Sequence, residues 1–182
     1  LFDSVSFEVK KGERVALLGP NGVGKTTMFH LILKDYLPIH GRIRLGSKVM
    51  IGYYDQEQTS LSPEKTIFDE IHDAYPDMNN TEIRNICAED VFKTIDVLSG
   101  GEKGRIVLIK LLLNKANFLI LDEPTNHLDI QSKEVLEDAL LDFPGTILFI
   151  SHDRYFINKL ATKIVEMNPH GDEIFGGNYS YY

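Results

Sequence analysis

At 182 residues with 43% hydrophobic side chains, the chain has the size and apolar content of one domain that buries its own core without disulfide or metal staples. Its 27 acidic and 19 basic residues leave a formal charge of -8, so the surface as a whole repels nucleic acid, and a nucleic-acid role would need a local patch or another part of the molecule. The single cysteine, Cys87, makes no internal disulfide and lies in no metal-ligand spacing, as expected of a small apolar filler in a reducing compartment, and no apolar run approaches the roughly 20 residues that span a bilayer.

The chain opens at Leu1 already in strand-like alternation, which reads as a piece of something longer. Alternation over Ser4–Val9 predicts a half-buried strand, turned by "KKGE" into the apolar strand "RVALL". Gly19 to Gly24 forms a glycine-punctuated loop, and "KTTMFHLILKDYL" carries helical periodicity that stops before Pro38. Short strands follow around "GRIRLG" and "VMIGYY". From about Thr59 to Val97 the pattern turns helical and polar: "SPEKTIFDEIHDAY" has a Ser-Pro-Glu helix start and "NNTEIRNICAED" reads as a second short helix. Residues 59–98 are thus expected to be a short helical subdomain inserted into an alternating β/α scheme.

After "LSGGE", the helix "KGRIVLIKLLLNKA" leads to strand "NFLILDE", helix "QSKEVLEDALLDF" and strand "GTILFIS". A helix near "RYFINKLA" and a hairpin through "KIVEMNPHGDEIFGG" complete the order. Continuous apolar strands alternating with amphipathic helices predict an α/β fold with a mainly parallel sheet covered on both faces, an antiparallel β element, and one domain over residues 1–182.

"GPNGVGKT", Gly19 to Thr26, matches G-x-x-x-x-G-K-[ST] and lies between a predicted strand and helix, where a P-loop needs it. Its glycines let backbone N–H groups wrap phosphate, Lys25 reaches the outer phosphates, and the Thr26 hydroxyl can bind Mg²⁺. "FLILDEP" is a buried strand ending in two carboxylates: Asp122 is expected beside the P-loop on the Mg²⁺ water shell, and Glu123 one residue further out near the γ-phosphate. "FISHDR" ends the next strand, so His152 emerges at the same sheet edge, where an imidazole can bond the γ-phosphate and the attacking water. Gln56 supplies an amide that could reach Mg²⁺ or water. "LSGGE" has the layout of a second anion-binding helix N-terminus, which one domain with a complete P-loop does not need for itself.

In this order, "GPNGVGKTT", Gln56, "LSGGE", "LILDEP", "TNHLD" and "ISHDR" resemble the nucleotide-binding domain of the ATP-binding cassette superfamily, a P-loop NTPase fold. The resemblance covers nearly the whole chain. It implies ATP and Mg²⁺ as cofactors, with ATP held by Gly19, Pro20, Asn21, Gly22, Val23, Gly24, Lys25, Thr26 and Thr27. It implies Glu123 as general base, His152 as switch residue, Thr26, Gln56 and Asp122 at the metal, and Asp129 as the loop residue communicating across a dimer. It also accounts for the second motif: in this family two cassettes pair head to tail, so Ser99, Gly100, Gly101 and Glu102 would cap the ATP of the partner.

"DEPTNHLD" with "SHDRYF", and the closing "GGNYSYY", are similar to the ABC-F subfamily, and "GYYDQE" and "LSGGEKGR" lean towards its second cassette. That resemblance implies a cytoplasmic ATPase with a second cassette, no membrane insertion of its own, and the ribosome as partner, in translation regulation or antibiotic resistance. The ATPase subunit of a membrane transporter is the alternative, and a non-hydrolysing ATP-gated clamp is a third reading against which Glu123 argues. Two departures stand out: the family's adenine-stacking aromatic would lie upstream of Leu1, and the stretch from Gln56 to Leu98 is short for the family's helical subdomain. His127 and the terminal tyrosines also admit purely structural roles.

Overall fold

The computed structural model describes all residues except 1, 3, 55–60, 88–89, 114, 127, 178 and 181–182. Six strands form one sheet in the order β2-β3-β4-β1-β5-β6: β1 (Arg14–Leu18), β2 (Ile51–Tyr54), β3 (Phe118–Asp122), β4 (Thr146–Ile150), β5 (Lys163–Asn168) and β6 (Gly171–Gly176). The first five are mutually parallel and β6 folds back antiparallel on β5, as the hairpin pattern predicts. Six helices accompany them: α1 (Lys25–Leu33), α2 (Ile67–Ala74), α3 (Asn80–Cys87), α4 (Gly100–Leu113), α5 (Ile130–Asp142) and α6 (Arg154–Leu160).

The period-2 rule divides the strand side chains between two cores. Val15 and Leu17, Phe118 and Ile120, and Leu148 and Ile150 pack with Met28, Phe29 and Ile32 of α1. Ala16, Leu119 and Leu121, and Ile147 and Phe149 pack with residues of α2, α4, α5 and α6. Both faces are covered, which is why these strands read as unbroken apolar runs. Within the second core, Phe149 meets Phe156 of α6 edge to face at 5.5 Å.

Two predicted strands are absent among the described residues. Ser4–Val9 keeps its alternation, with Val5, Phe7 and Val9 packed on the α1-side core, but it carries no ladder. Side chains of the β5–β6 hairpin meet its backbone instead: the Ser6 N–H donates to Asp172 Oδ1 (2.8 Å) and Lys163 Nζ donates to the Glu8 carbonyl (2.6 Å). Alternation reports one buried face, not a backbone partner. The "GRIRLG" segment is exposed and irregular.

Two helix boundaries also move. α1 ends at Leu33, short of Pro38, because Lys34 adopts a left-handed conformation (φ 69°) and the Asp35 N–H returns to the His30 carbonyl. α2 starts after Thr66, not at Ser62, because the Thr66 hydroxyl accepts from the Asp69 N–H (3.0 Å) and donates to the Asp69 carboxylate (2.7 Å). Within residues 59–98, α2, α3 and a 3-10 turn over Ile95–Val97 are described. α2 is tied to α4 by an ion pair between buried Glu70 and Lys110 and by Tyr75, whose hydroxyl donates to the Lys110 carbonyl.

The carboxyl ends of the parallel strands share one edge, and the loop after β1 is seated there by a close backbone approach. A Cβ on Gly19 (φ 140°) would lie 2.3 Å from the Met167 carbonyl oxygen of β5, a contact that no rotamer change relieves. Gly19→Ala is therefore expected to lower the unfolding free energy of this chain by roughly 2–4 kcal/mol in urea titration, and a loss under about 0.5 kcal/mol would contradict this packing.

Candidate functional site

The glycine loop between β1 and α1 closes on itself before it presents anything. Val23 is buried in the α1-side core and its N–H reaches the Pro20 carbonyl (3.3 Å), so the loop is anchored from inside. Gly24 begins the helix in a left-handed conformation (φ 112°) that a side chain would strain, and its carbonyl accepts the Met28 N–H at 2.9 Å. Asn21, Gly22 and Thr26 are exposed, and Thr26 stands in the first turn of α1. The start of a helix with a glycine-rich approach favours an anion.

Lys25 is nearly buried, and its ammonium donates to the Gly19 carbonyl (2.8 Å) and the Pro20 carbonyl (3.1 Å). Burial lowers its pKa, opposed by the charges of Glu123 and Asp122. That electrostatic link places the loop's one cation near the carboxylates at the end of β3.

Those carboxylates are 2% and 6% exposed for Asp122 and Glu123, among the few acids buried in the chain. Asp122 is the last residue of β3, opposite Ile150 of β4. Glu123 departs from strand geometry with φ 49°, a left-handed conformation that costs a non-glycine residue on the order of 1 kcal/mol. Its N–H donates to the Ile150 carbonyl (3.0 Å), and its carbonyl accepts the Asn126 N–H (3.1 Å).

Two residues past β4, His152 meets Glu123 twice. The His152 backbone N–H donates to Glu123 Oε2 at 3.2 Å, and the ring Nε2 lies 3.3 Å from Oε1. The second approach has ion-pair distance but not hydrogen-bond alignment, so Oε1 keeps no hydrogen-bond donor among the described residues. Burial pushes the Glu123 carboxyl above its ordinary pKa against the opposing pull of His152, while the neighbouring Asp122 charge adds to the rise. A carboxyl of this kind can take a proton from water at neutral pH.

Thr26 and Asp122 offer a hydroxyl and a carboxylate, oxygen donors of the hard type that Mg²⁺ takes. No group of three or more His, Cys, Asp or Glu side chains is placed to hold a metal among the described residues. Gln56 and His127 lie outside the described residues.

Ser99 and Glu102 bond each other and not the group around Glu123. The Glu102 carboxylate accepts from the Ser99 N–H (2.8 Å) and hydroxyl (2.7 Å), and the Glu102 N–H donates to Ser99 Oγ (3.3 Å), a reciprocal cap at the start of α4. These bonds hold the Glu102 carboxyl below its ordinary pKa. Ser99 and Gly100 are exposed, with Gly101 and Glu102 half-buried. Asp129 caps α5, accepting the Ser132 N–H at 2.7 Å.

Lys25, Asp122, Glu123 and His152 are therefore gathered at one sheet edge, and Ser99 to Glu102 form a separate exposed turn. Four residues that sequence reasoning passed over support the gathered group. The Thr125 and Ser151 hydroxyls are buried and 3.4 Å apart, and Ser151 Oγ accepts the Asp153 N–H (3.1 Å). Asp153 caps α6 through the Tyr155 and Phe156 N–H groups and pairs with Lys133 (3.2 Å). An aspartate directly before a helical run was a readable cap signal; the Lys133 partnership has no linear signature.

Residues 2–126 match the family described as ABC transporter. The chain is 52% identical over 188 residues to the putative ATP-binding protein YdiF of Bacillus subtilis (strain 168), covering all of this chain and 29% of that protein. It is 42% identical over 193 residues to the energy-dependent translational throttle protein EttA of Escherichia coli (strain K12), covering all of this chain and 35% of that one. Both relatives are of ABC-F type, and the chain spans about a third of their length. A dimeric structure of a post-hydrolysis state of the ATP-binding cassette MJ0796, bound to ADP and Pi, shares the fold with a TM-score of 0.77 at 22% identity, over 96% of this chain and 90% of that one. The P-loop geometry, the sheet order and these relatives agree, and the chain belongs to the ABC transporter family as an ATP-binding cassette of ABC-F type.

Proposed function

We propose that the chain is one ATP-binding and ATP-hydrolysing cassette of a cytoplasmic ABC-F protein that acts on the ribosome. The observation that carries the hydrolytic part is the buried Glu123 carboxyl, held by the His152 N–H beside the P-loop cation Lys25. On this reading residues Gly19 to Thr27 take the phosphates. The Lys25 ammonium exchanges the Gly19 and Pro20 carbonyls for the outer phosphate oxygens, a swap of acceptors at one site. Thr26 and Asp122, with Gln56, would hold Mg²⁺, which would supply charge neutralisation for the phosphates. Glu123 takes a proton from the attacking water as the γ-phosphoryl group leaves ADP, and the His152 ring orients that water.

The Ser99–Glu102 turn would serve the partner cassette. Its exposed Ser99 hydroxyl now donates to Glu102, and it would turn to the γ-phosphate of the opposite ATP at the dipole end of α4. Asp129 would face the same junction. The MJ0796 cassette forms a dimer with nucleotide, which supports pairing for this chain too. The ribosome enters from the relative named a translational throttle. The transporter alternative is not favoured by these relatives. Among the described residues no helix is long and apolar enough to cross a membrane.

The ribosome part is tested by co-sedimentation of the intact Glu123→Gln protein with ribosomes, with and without ATP. Pelleting that requires ATP is the expected result; a protein that binds ATP yet stays in the supernatant at low salt would contradict it.

The Glu123 environment is tested through stability. A carboxyl whose folded-state pKa is raised contributes stability below its unfolded value and loses it as pH rises through the folded one. Because the buried ionised form is disfavoured, Glu123→Gln is expected to unfold at higher denaturant than wild type at about pH 8, with the difference vanishing as pH falls below the ordinary glutamate value of 4.5. A difference that grows in acid would contradict the raised pKa.

A further inference from the structure

Two helices leave the site side by side, one capped by Asp129 of the proposed machinery and the other by Asp153 next to His152. α5 follows Asp129 directly, and α6 follows Asp153, the neighbour of His152. Lys133 touches both caps. Its backbone N–H donates to the Asp129 carbonyl (2.9 Å), and its ammonium lies 3.2 Å from Asp153 Oδ2. The other oxygen of Asp153 is occupied by the Tyr155 and Phe156 N–H groups at 3.0 and 3.1 Å, so this carboxylate is oriented before Lys133 arrives. Although burial pushes it upward, these bonds and Lys133 hold the Asp153 carboxyl below its ordinary pKa.

A second rung, Lys159 to buried Glu137 at 2.7 Å, joins the same helices further along, across a cleft of about 380 Å³. The two rungs tie α5 to α6 at two levels. From Asp153 the peptide continues into His152, whose N–H and ring both meet Glu123. A continuous path of contacts thus runs from the Asp129 turn through the Lys133–Asp153 ion pair and His152 to the Glu123 carboxylate.

We propose that Lys133 is a positioning residue whose ion pair with Asp153 fixes the Asp129 turn against the His152 turn, so that a partner cassette docked at Asp129 sets how His152 lies on Glu123. The inference rests on the reading of Glu123 and His152 as the hydrolytic pair. Magnitudes separate this role from a structural one. The pair is about a third exposed on both sides, so it adds little to stability. The rate is sensitive to misplacement on the ångström scale, so the same contact can matter far more to turnover.

The test is steady-state ATP hydrolysis by the intact protein carrying Lys133→Met, Lys133→Arg, Asp153→Asn, or Lys133→Met with Asp153→Asn. Lys133→Met is expected to lower kcat about 5- to 20-fold with KM for ATP within about 2-fold, since ground-state nucleotide contacts are untouched. Lys133→Arg is expected to restore most of the rate. Asp153→Asn keeps a helix cap but loses the charge and is expected to match Lys133→Met, and the double variant to fall no lower than either, the signature of one shared interaction. A Lys133→Met protein that turns over like wild type, or an arginine variant as slow as the methionine one, overturns the proposal and leaves the hydrolytic reading standing. A wild-type protein that binds ATP but does not hydrolyse it removes that reading, and this proposal with it.

Discussion

The hydrogen bond from the Glu123 N–H to the Ile150 carbonyl is the constraint on which the site depends. It extends the β3–β4 pairing one step past Asp122↔Ile150, at the cost of a left-handed backbone at Glu123. A side chain that would have continued the strand's alternation is turned instead towards the chain leaving β4, where its carboxylate accepts from the His152 N–H. The strain is small beside the fixed register of two buried parallel strands, so the register wins. What results is a buried carboxylate with an elevated pKa, one oxygen engaged and the other lacking a hydrogen-bond donor among the described residues.

The rest of the fold supplies walls for that arrangement. The two-faced sheet puts α1 and its P-loop on one side and α4, α5 and α6 on the other. The close approach of Gly19 to β5 fixes the P-loop against the sheet, and Lys25 lies between loop carbonyls and strand-end carboxylates. The Ser99–Glu102 turn is held for a different reason: a reciprocal cap satisfies the Ser99 and Glu102 N–H groups while leaving Ser99 and Gly100 exposed. Under the proposed pairing of cassettes, this exposed helix start would be offered to a partner.

Sequence showed much of this because the fold's signals are local. The apolar runs of β1, β3 and β4 are long enough to be read directly, the P-loop pattern is specific, and Glu123 and His152 each stand second past such a run, after Asp122 and Ser151. Where reading failed, the deciding contact was either remote in sequence or a local capping bond that periodicity does not register. Ser4–Val9 alternates as a strand does, yet Asp172 and Lys163 side chains take its backbone groups. α1 ends early because His30 and Asp35 pair across a left-handed Lys34. The Lys133–Asp153 and Glu70–Lys110 pairs join positions 20 and 40 residues apart, which no periodicity announces.

Single-turnover hydrolysis of ATP by the intact protein, wild type against Glu123→Gln with nucleotide binding measured in parallel, tests the central claim most directly. The account predicts that the variant retains ATP and loses hydrolysis by about 100-fold or more, the usual contribution of a positioned general base. ATP cleaved by the variant at the wild-type rate would contradict it, and would assign Glu123 a structural place at the end of β3 instead.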